Sequence, residues 1–437
     1  MNKVQTLFAL LAVACQLLAQ NSITIDTQTS LGKVSPGIFG QFIEYMGRDI
    51  EGGIYDPQST LSDANGIRQD VLAKAKELAP TMIRFPGGTF VKTFHWMDGV
   101  GPRSERRSSK NLIWGGINTF QFGTCEFIEY CRAIGCEPVL VVNIATGTPD
   151  EAANWVEYCN GTDNTYYANL RRSHGYPEPF NVKYWALGNE EAAEPDAGRH
   201  QDPQKYVTDV WHFIKLMKEN SQDSVTTWKK WYRFPARQQP LRVALDEWGI
   251  WEYQDPPYGT TNTYEWRHAL ATAYFMNTIL RCADFVGMAN WAQMVNILAP
   301  IMTNGQTSIR QTVFYPLREY RAHTLGEMVK VEATSPAVDG DLQALNAVCS
   351  IDRTSGELTL FVVNLSPMAV KAQLAIDGSD KALVQEVTTL TAERLDAKNV
   401  LSAPDKDVVS VKIEKPGKRL RDFTFAPESI QILHIKP

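Results

Sequence analysis

Glu190 and Glu247 are the residues of this sequence best equipped for chemistry. Glu190 closes the segment Val182-Lys183-Tyr184-Trp185-Ala186-Leu187-Gly188-Asn189-Glu190, and Glu247 sits in Leu241-Arg242-Val243-Ala244-Leu245-Asp246-Glu247-Trp248. Each ends a short apolar run that reads as a buried parallel strand, the place where a β/α barrel carries its working side chains. Two carboxyls on different strand ends, facing one cleft, are the minimum equipment for breaking a glycosidic bond. One, protonated, gives its proton to the leaving oxygen; the other, ionised, attacks the anomeric carbon, with the pair roughly 5 Å apart in a retaining enzyme. That chemistry calls for no metal and no organic cofactor, and none is expected. Taken singly, a Glu after a strand is more often a cap or loop carboxylate, so the combination carries the reading. Glu191 rivals Glu190 and Asp246 rivals Glu247. Adjacent strand residues point to opposite faces, so only one of each pair is expected to face the cleft.

The elements that must position these groups alternate along the chain. Strand-like runs at 37–45, 81–88, 137–145, 182–190, 242–248 and 284–293 alternate with helical patterns near 67–79, 119–134, 149, 204–218 and 264–281. Such alternation implies βα units and a parallel sheet. The other polar residues at strand ends are Glu44, Arg84, Asn143, Asn189 and Gln293. From about residue 340 the text changes to short β-rich segments separated by turns such as Asp352-Arg353-Thr354-Ser355-Gly356, the pattern of an antiparallel sandwich. The expected architecture is therefore α/β: a (β/α)8-type TIM barrel over 37–325 and a β-sandwich over 326–437. An N-terminal strand in 21–36 joins the sandwich, because chain termini often lie close together.

Bulk properties exclude other classes. With a net charge of -6 the chain has no basic footprint, so nucleic acid is not an expected partner. Residues 1–20 combine Lys3 with an apolar run from Leu7 to Leu18 broken only by Gln16, which reads as a signal peptide and implies a secreted or periplasmic protein. The run is too short for a membrane span. Acylation at Cys15 is the weaker alternative. The remaining six cysteines are widely spread without a CxxC pair, which argues against zinc or a disulfide framework.

The combined motifs resemble the family 51 α-L-arabinofuranosidases. The matching stretches are Phe39-Gly40-Gln41-Phe42-Ile43-Glu44-Tyr45-Met46-Gly47-Arg48, Ile83-Arg84-Phe85-Pro86-Gly87-Gly88, His95-Trp96-Met97-Asp98-Gly99, Trp114-Gly115-Gly116, Gly188-Asn189-Glu190, Asp246-Glu247-Trp248 and Ala292-Gln293-Met294. They run in family order from about residue 37 to 300. The resemblance implies a retaining, exo-acting hydrolase that takes terminal arabinofuranose from arabinan- or arabinoxylan-type glycans. It implies Glu190 as acid/base, Glu247 as nucleophile, and Glu44, Asn189 and Gln293 as sugar-holding residues. It places Trp114 at the pocket and Arg84 and Thr89 among the substrate contacts, and relatives suggest a homo-oligomer. Thr89 stands where relatives often carry Asn or Cys.

A second departure concerns length. Relatives carry more residues between the two glutamates, including the fifth and sixth barrel strands and a His-x-Tyr-like segment that is not found here. Six strands are counted where eight close a barrel. Residues 226–233 read as the tail of the helix before the seventh strand. The shortening leaves three outcomes open: a gapped barrel without activity, replacement structure that preserves the cleft, or a remnant that binds sugar without cleaving it. It also predicts exposed apolar edges on the strands flanking the gap. Another retaining barrel glycosidase, such as an endoglucanase or xylosidase, is the alternative enzyme.

Overall fold

Short apolar runs bounded by helices assemble into a six-stranded parallel sheet in a computed structural model of the chain. The structure describes residues 21–191, 202–220, 241–251, 263–379 and 381–436. The sheet order is Tyr184–Leu187, Glu137–Val142, Met82–Phe85, Gly40–Phe42, Val286–Ala292, Val243–Trp248. Sequence neighbours pair except Tyr184–Leu187 with Val243–Trp248, and the first and last strands also pair, as in a barrel. The strands are shorter than the sequence suggested: the run 37–45 yields only Gly40–Phe42, because Pro36 opens a short 3-10 turn ahead of it.

The sheet's two edges are Tyr184–Leu187 and Val243–Trp248, the strands that flank the short spacer. Glu137–Val142 is buried almost throughout, whereas Tyr184 and Val243 are exposed on the edge strands. Exposed apolar side chains continue beside them: Val207 and Trp211 on the helix Pro203–Glu219, Phe275 on the helix Trp266–Arg281, and Phe285. On the edge strands themselves, Tyr184 and Val243 are the exposed large apolar side chains among the described residues. The reading of residues 226–233 as a helix tail lies outside the described residues, as does the leader 1–20.

The C-terminal part is a β-sandwich built on one ten-stranded, mostly antiparallel sheet. Ser22–Lys33 enters it between Glu327–Thr334, antiparallel, and Val370–Ile376, parallel. Ile23, Ile25, Val329, Leu360, Leu374 and Leu433 lie in its own core. The opposite face meets the barrel. Strand Leu358–Asn364 is buried at every position because Leu360 and Val362 face the sandwich core while Phe361 stacks on Tyr320 of the barrel helix Phe314–His323 at 4.5 Å. The loops at the C-terminal ends of the barrel strands rest on an aromatic cluster in which Phe85 and Phe127 stack at 4.6 Å and Tyr45 and Phe90 meet at 5.2 Å. Among the described residues no helix is long and apolar enough to cross a membrane.

Candidate active site

Arg84 organises the site from inside the barrel. It lies on the second strand, fully buried, with its guanidinium 4.8 Å over the Phe42 ring of the first. Nη1 donates to Glu247 Oε1 at 2.7 Å and Nη2 to Asn189 Oδ1 at 2.7 Å. A planar fork can hold two acceptors at fixed separation, which an ammonium cannot. One side chain thus ties together the two edge strands on either side of the short spacer. Nε lies 3.5 Å from Asp246 Oδ2.

This corrects the expectation that only one of Asp246 and Glu247 faces the cleft, since both reach Arg84. The pairing of Val243–Trp248 with Val286–Ala292 shifts register between Leu245 and Trp248. An irregularity of that kind breaks the strict alternation of faces. Glu247 keeps 24% of its side-chain surface, so a substrate can still reach it. Burial pushes its carboxyl up; Arg84 opposes this, and the Glu190 and Asp246 carboxylates add to it.

Glu190 and its rival Glu191 do separate. Glu191 is buried and folds back, its Oε1 accepting from the Asn189 amide at 3.2 Å. Glu190 is exposed at the strand mouth with φ 48°, a left-handed conformation unusual for a residue other than glycine. Residues held there cluster at functional sites. Thr89 Oγ1 lies 3.4 Å from Glu190 Oε2, at the start of the one-turn helix Thr89–Thr93. Lys92, on the same eclipsed face of that three-residue-per-turn helix, is buried, with its Nζ unbonded among the described residues.

Glu44 forms the other wall. Its Oε1 accepts from the Phe90 amide and from Trp114 Nε1, both at 2.9 Å, and its Oε2 accepts from Gln293 Nε2 at 2.9 Å. The paired glycines explain how the walls approach. A Cβ on Gly87, which has φ 154°, would lie 2.5 Å from Glu44 Cγ, and one on Gly88 would lie 2.9 Å from Glu247 Oε1. Asn189 Nδ2 and Gln293 Oε1 are buried polar atoms with no hydrogen-bond partner among the described residues. Such atoms each cost about 1–3 kcal/mol unless something pairs them.

Of the sequence candidates, Glu44, Arg84, Thr89, Trp114, Asn189, Glu190, Glu247 and Gln293 thus lie in one linked cluster. Asn143 does not join them. Its amide is used up by Phe94 O, Thr146 Oγ1 and the amides of Ala145 and Thr146, which makes it a loop cap. Trp96 is core, donating to Glu151 O at 2.9 Å. Sequence reasoning missed Phe42 and Asp49. Asp49 Oδ2 accepts from the Glu44 amide at 2.7 Å, and only its place in the stretch after Glu44 could have pointed to it.

Burial pushes the Glu44 carboxyl up to about 7, against the Phe90 and Trp114 hydrogen bonds. Because the folded value exceeds the unfolded one, Glu44 is tolerated best when protonated. Its stabilising contribution is complete at acid pH and is lost as pH rises from about 4.5 through about 7. Glu44→Gln has no such slope. Wild type should lose on the order of 3 kcal/mol relative to Glu44→Gln between pH 4.5 and 8, read as denaturant midpoints at several pH values. Parallel profiles would contradict the burial argument.

The chain is similar to known proteins along most of its length. Residues 74–271 match the family model "Alpha-L-arabinofuranosidase 1 domain", and residues 246–429 match "Alpha-L-arabinofuranosidase C-terminal domain". The probable α-L-arabinofuranosidase C of Aspergillus niger is 32% identical, over 95% of this chain and 97% of its own length. That alignment spans 498 positions, more than the 437 residues here, so the relative carries positions without a counterpart in this chain. The thermostable GH51 α-L-arabinofuranosidase from Thermotoga petrophila superposes with a TM-score of 0.83 at 30% identity, over 95% of this chain and 99% of that one. A Bacillus subtilis protein, 29% identical over 86% of this chain and 91% of its own, is named an intracellular exo-α-(1->5)-L-arabinofuranosidase. That relative overturns the secreted or periplasmic placement expected from residues 1–20. The chain belongs to the α-L-arabinofuranosidases of glycoside hydrolase family 51.

Proposed function

We propose that this glycoside hydrolase releases terminal, non-reducing arabinofuranose from arabinan- or arabinoxylan-type glycans with retention. Glu247 attacks C1 while the bond to the leaving oxygen breaks and Glu190 gives that oxygen its proton. Glu190 then takes a proton from water, whose oxygen attacks C1 and frees Glu247. Glu44, Trp114, Asn189 and Gln293 hold the sugar, Arg84 holds Glu247 in place, and Thr89 borders Glu190. The single observation that carries this reading is the Arg84 fork, which joins Glu247 to the residue preceding Glu190. The unpaired Asn189 Nδ2 and Gln293 Oε1 support it, since sugar hydroxyls would satisfy both. The same reading assigns the chemistry to 37–325, with 326–437 and the 21–36 strand as the supporting sandwich, and takes a homo-oligomer as the working assembly.

The test is a panel of nitrophenyl glycosides. The arabinofuranoside should be turned over, while the β-xyloside and β-glucoside should be slower by at least about 10²-fold, because hydroxyl contacts discriminate strongly when a site's polar groups are left unpaired. Preference for the xyloside or glucoside would favour another barrel glycosidase. Binding of arabinose oligomers without turnover of any substrate would make the chain a sugar-binding remnant.

A further inference from the structure

Glu44 and Gln293 sit on loops from opposite ends of the barrel's chain order, yet their side chains meet at 2.9 Å. Pairing of the strands themselves reaches only to Phe42 and Ala292, and the Met294 amide extends it one step by donating to Phe42 O at 2.8 Å. Beyond that step the loops would separate unless something bridged them. The chain after Glu44 doubles back, with the Met46 amide on Glu44 O and the Asp49 amide on Met46 O, and this brings Asp49 beneath the residue it follows. Asp49 is fully buried. Its Oδ2 accepts from the Glu44 amide at 2.7 Å and its Oδ1 from the Val295 amide at 3.2 Å.

We propose that Asp49 is a positioning residue of the sugar pocket, whose one carboxylate fixes the separation of the loops that carry Glu44 and Gln293. The proposal rests on the reading of Glu44 as a sugar-holding residue and deepens it. A carboxylate suits the task because it offers two acceptor oxygens and no donor, matching two facing N–H groups. An amide would satisfy one of them and set its own NH2 against the other. The choice is a costly one: no cation pairs with Asp49 among the described residues, and burial together with the Glu44 carboxylate pushes its carboxyl up. The loops have other links: Asn296 Nδ2 donates to Arg48 O at 2.6 Å, and Gln293 Nε2 donates to Met46 Sδ at 3.4 Å. Asp49 bonds the Glu44 amide itself and reaches the Val295 amide on the facing loop with its other oxygen. The other two donors to Glu44, Phe90 and Trp114, come from different loops. Disturbing Asp49 should therefore move Glu44 relative to Gln293 and leave the Arg84–Glu247 side in place.

The test is a double-mutant cycle in the full-length enzyme with Asp49→Asn and Glu44→Gln, read as kcat/KM on nitrophenyl arabinofuranoside and corrected for folded fraction by thermal melting. Asp49→Asn is expected to lose about 10- to 100-fold, the scale of a small misplacement of a binding group. Glu44→Gln should lose at least as much. If Asp49 acts through Glu44, the double variant will match Glu44→Gln within about threefold, because a contact already broken cannot be broken again. A merely structural role predicts that the losses multiply, and multiplication overturns the proposal. Near wild-type kcat/KM in Glu44→Gln would instead overturn the reading of Glu44, and the proposal with it. Should Asp49→Asn not fold, Asp49→Ser, which keeps one acceptor and removes volume, takes its place in the cycle: matching losses support the proposal and multiplied losses overturn it.

Discussion

Glu247→Ala should lower kcat for nitrophenyl arabinofuranoside by about 10⁴-fold or more, the scale seen when the nucleophile of a covalent mechanism is removed. The loss should fall on kcat rather than KM, because Glu44, Trp114 and Gln293 are untouched. Folding should survive, although Arg84 Nη1 loses its 2.7 Å partner, since Asp246 remains 3.5 Å from Nε. Added azide or formate should restore part of the rate by entering the vacated space beside C1. The product so formed should have the opposite anomeric configuration from the wild-type product, because one displacement replaces two. Asp246→Asn serves as the control. If Glu247→Ala keeps more than about a tenth of the wild-type rate while Asp246→Asn loses it, the two adjacent carboxylates have been assigned the wrong way round.

Arg84→Met should produce the second largest effect, and on two observables together. Removing the guanidinium leaves the largely enclosed Glu247 carboxylate without a cation, and breaking a buried pair from one side typically costs about 3–5 kcal/mol. Burial, Glu190 and Asp246 would then push Glu247 up without opposition from Arg84, so less of the attacking oxygen would be ionised. Asn189 would also lose the bond to its Oδ1. A fall in kcat/KM of about 10³-fold follows from losing both charge and placement. Arg84→Lys keeps the charge but cannot serve Glu247 and Asn189 at once, so it should recover stability more than rate. A denaturant melt and steady-state kinetics on both variants check this. Equal rates for Arg84→Lys and wild type would show that charge alone matters and the fork does not.

Much of this arrangement is legible in the residues. Gly188-Asn189-Glu190 and Asp246-Glu247-Trp248 mark strand ends because an apolar run stops at an acid, and barrel strands present their C-terminal residues to the cleft. Arg84 is legible for the same reason. Contacts between loops are harder to read. Asp49 has no periodic neighbour to mark it, and its role exists only because the chain doubles back after Glu44. Asn143 looks like a site residue by position, but its amide is taken by its own loop, a local competition that strand-end logic ignores. The face of Asp246 is misjudged because a register shift cannot be seen in one strand alone. Strand Glu327–Thr334 falls before the expected change to β-rich text at 340, although Met328, Val329, Val331 and Ala333 give it a partly alternating face. The central geometric result is the reach of Arg84. The edge strands do not pair with each other, yet one buried side chain joins Glu247 on one to Asn189 just past the end of the other.

The most direct measurement is covalent trapping with an arabinofuranose-configured epoxide, followed by mass mapping of the labelled peptide. A single sugar adduct on Glu247, prevented by excess arabinofuranoside and absent from Glu247→Gln, is the predicted result. An unlabelled protein, or an adduct spread over surface carboxylates and indifferent to competing substrate, would contradict the claim that this barrel brings its two glutamates to one furanose ring.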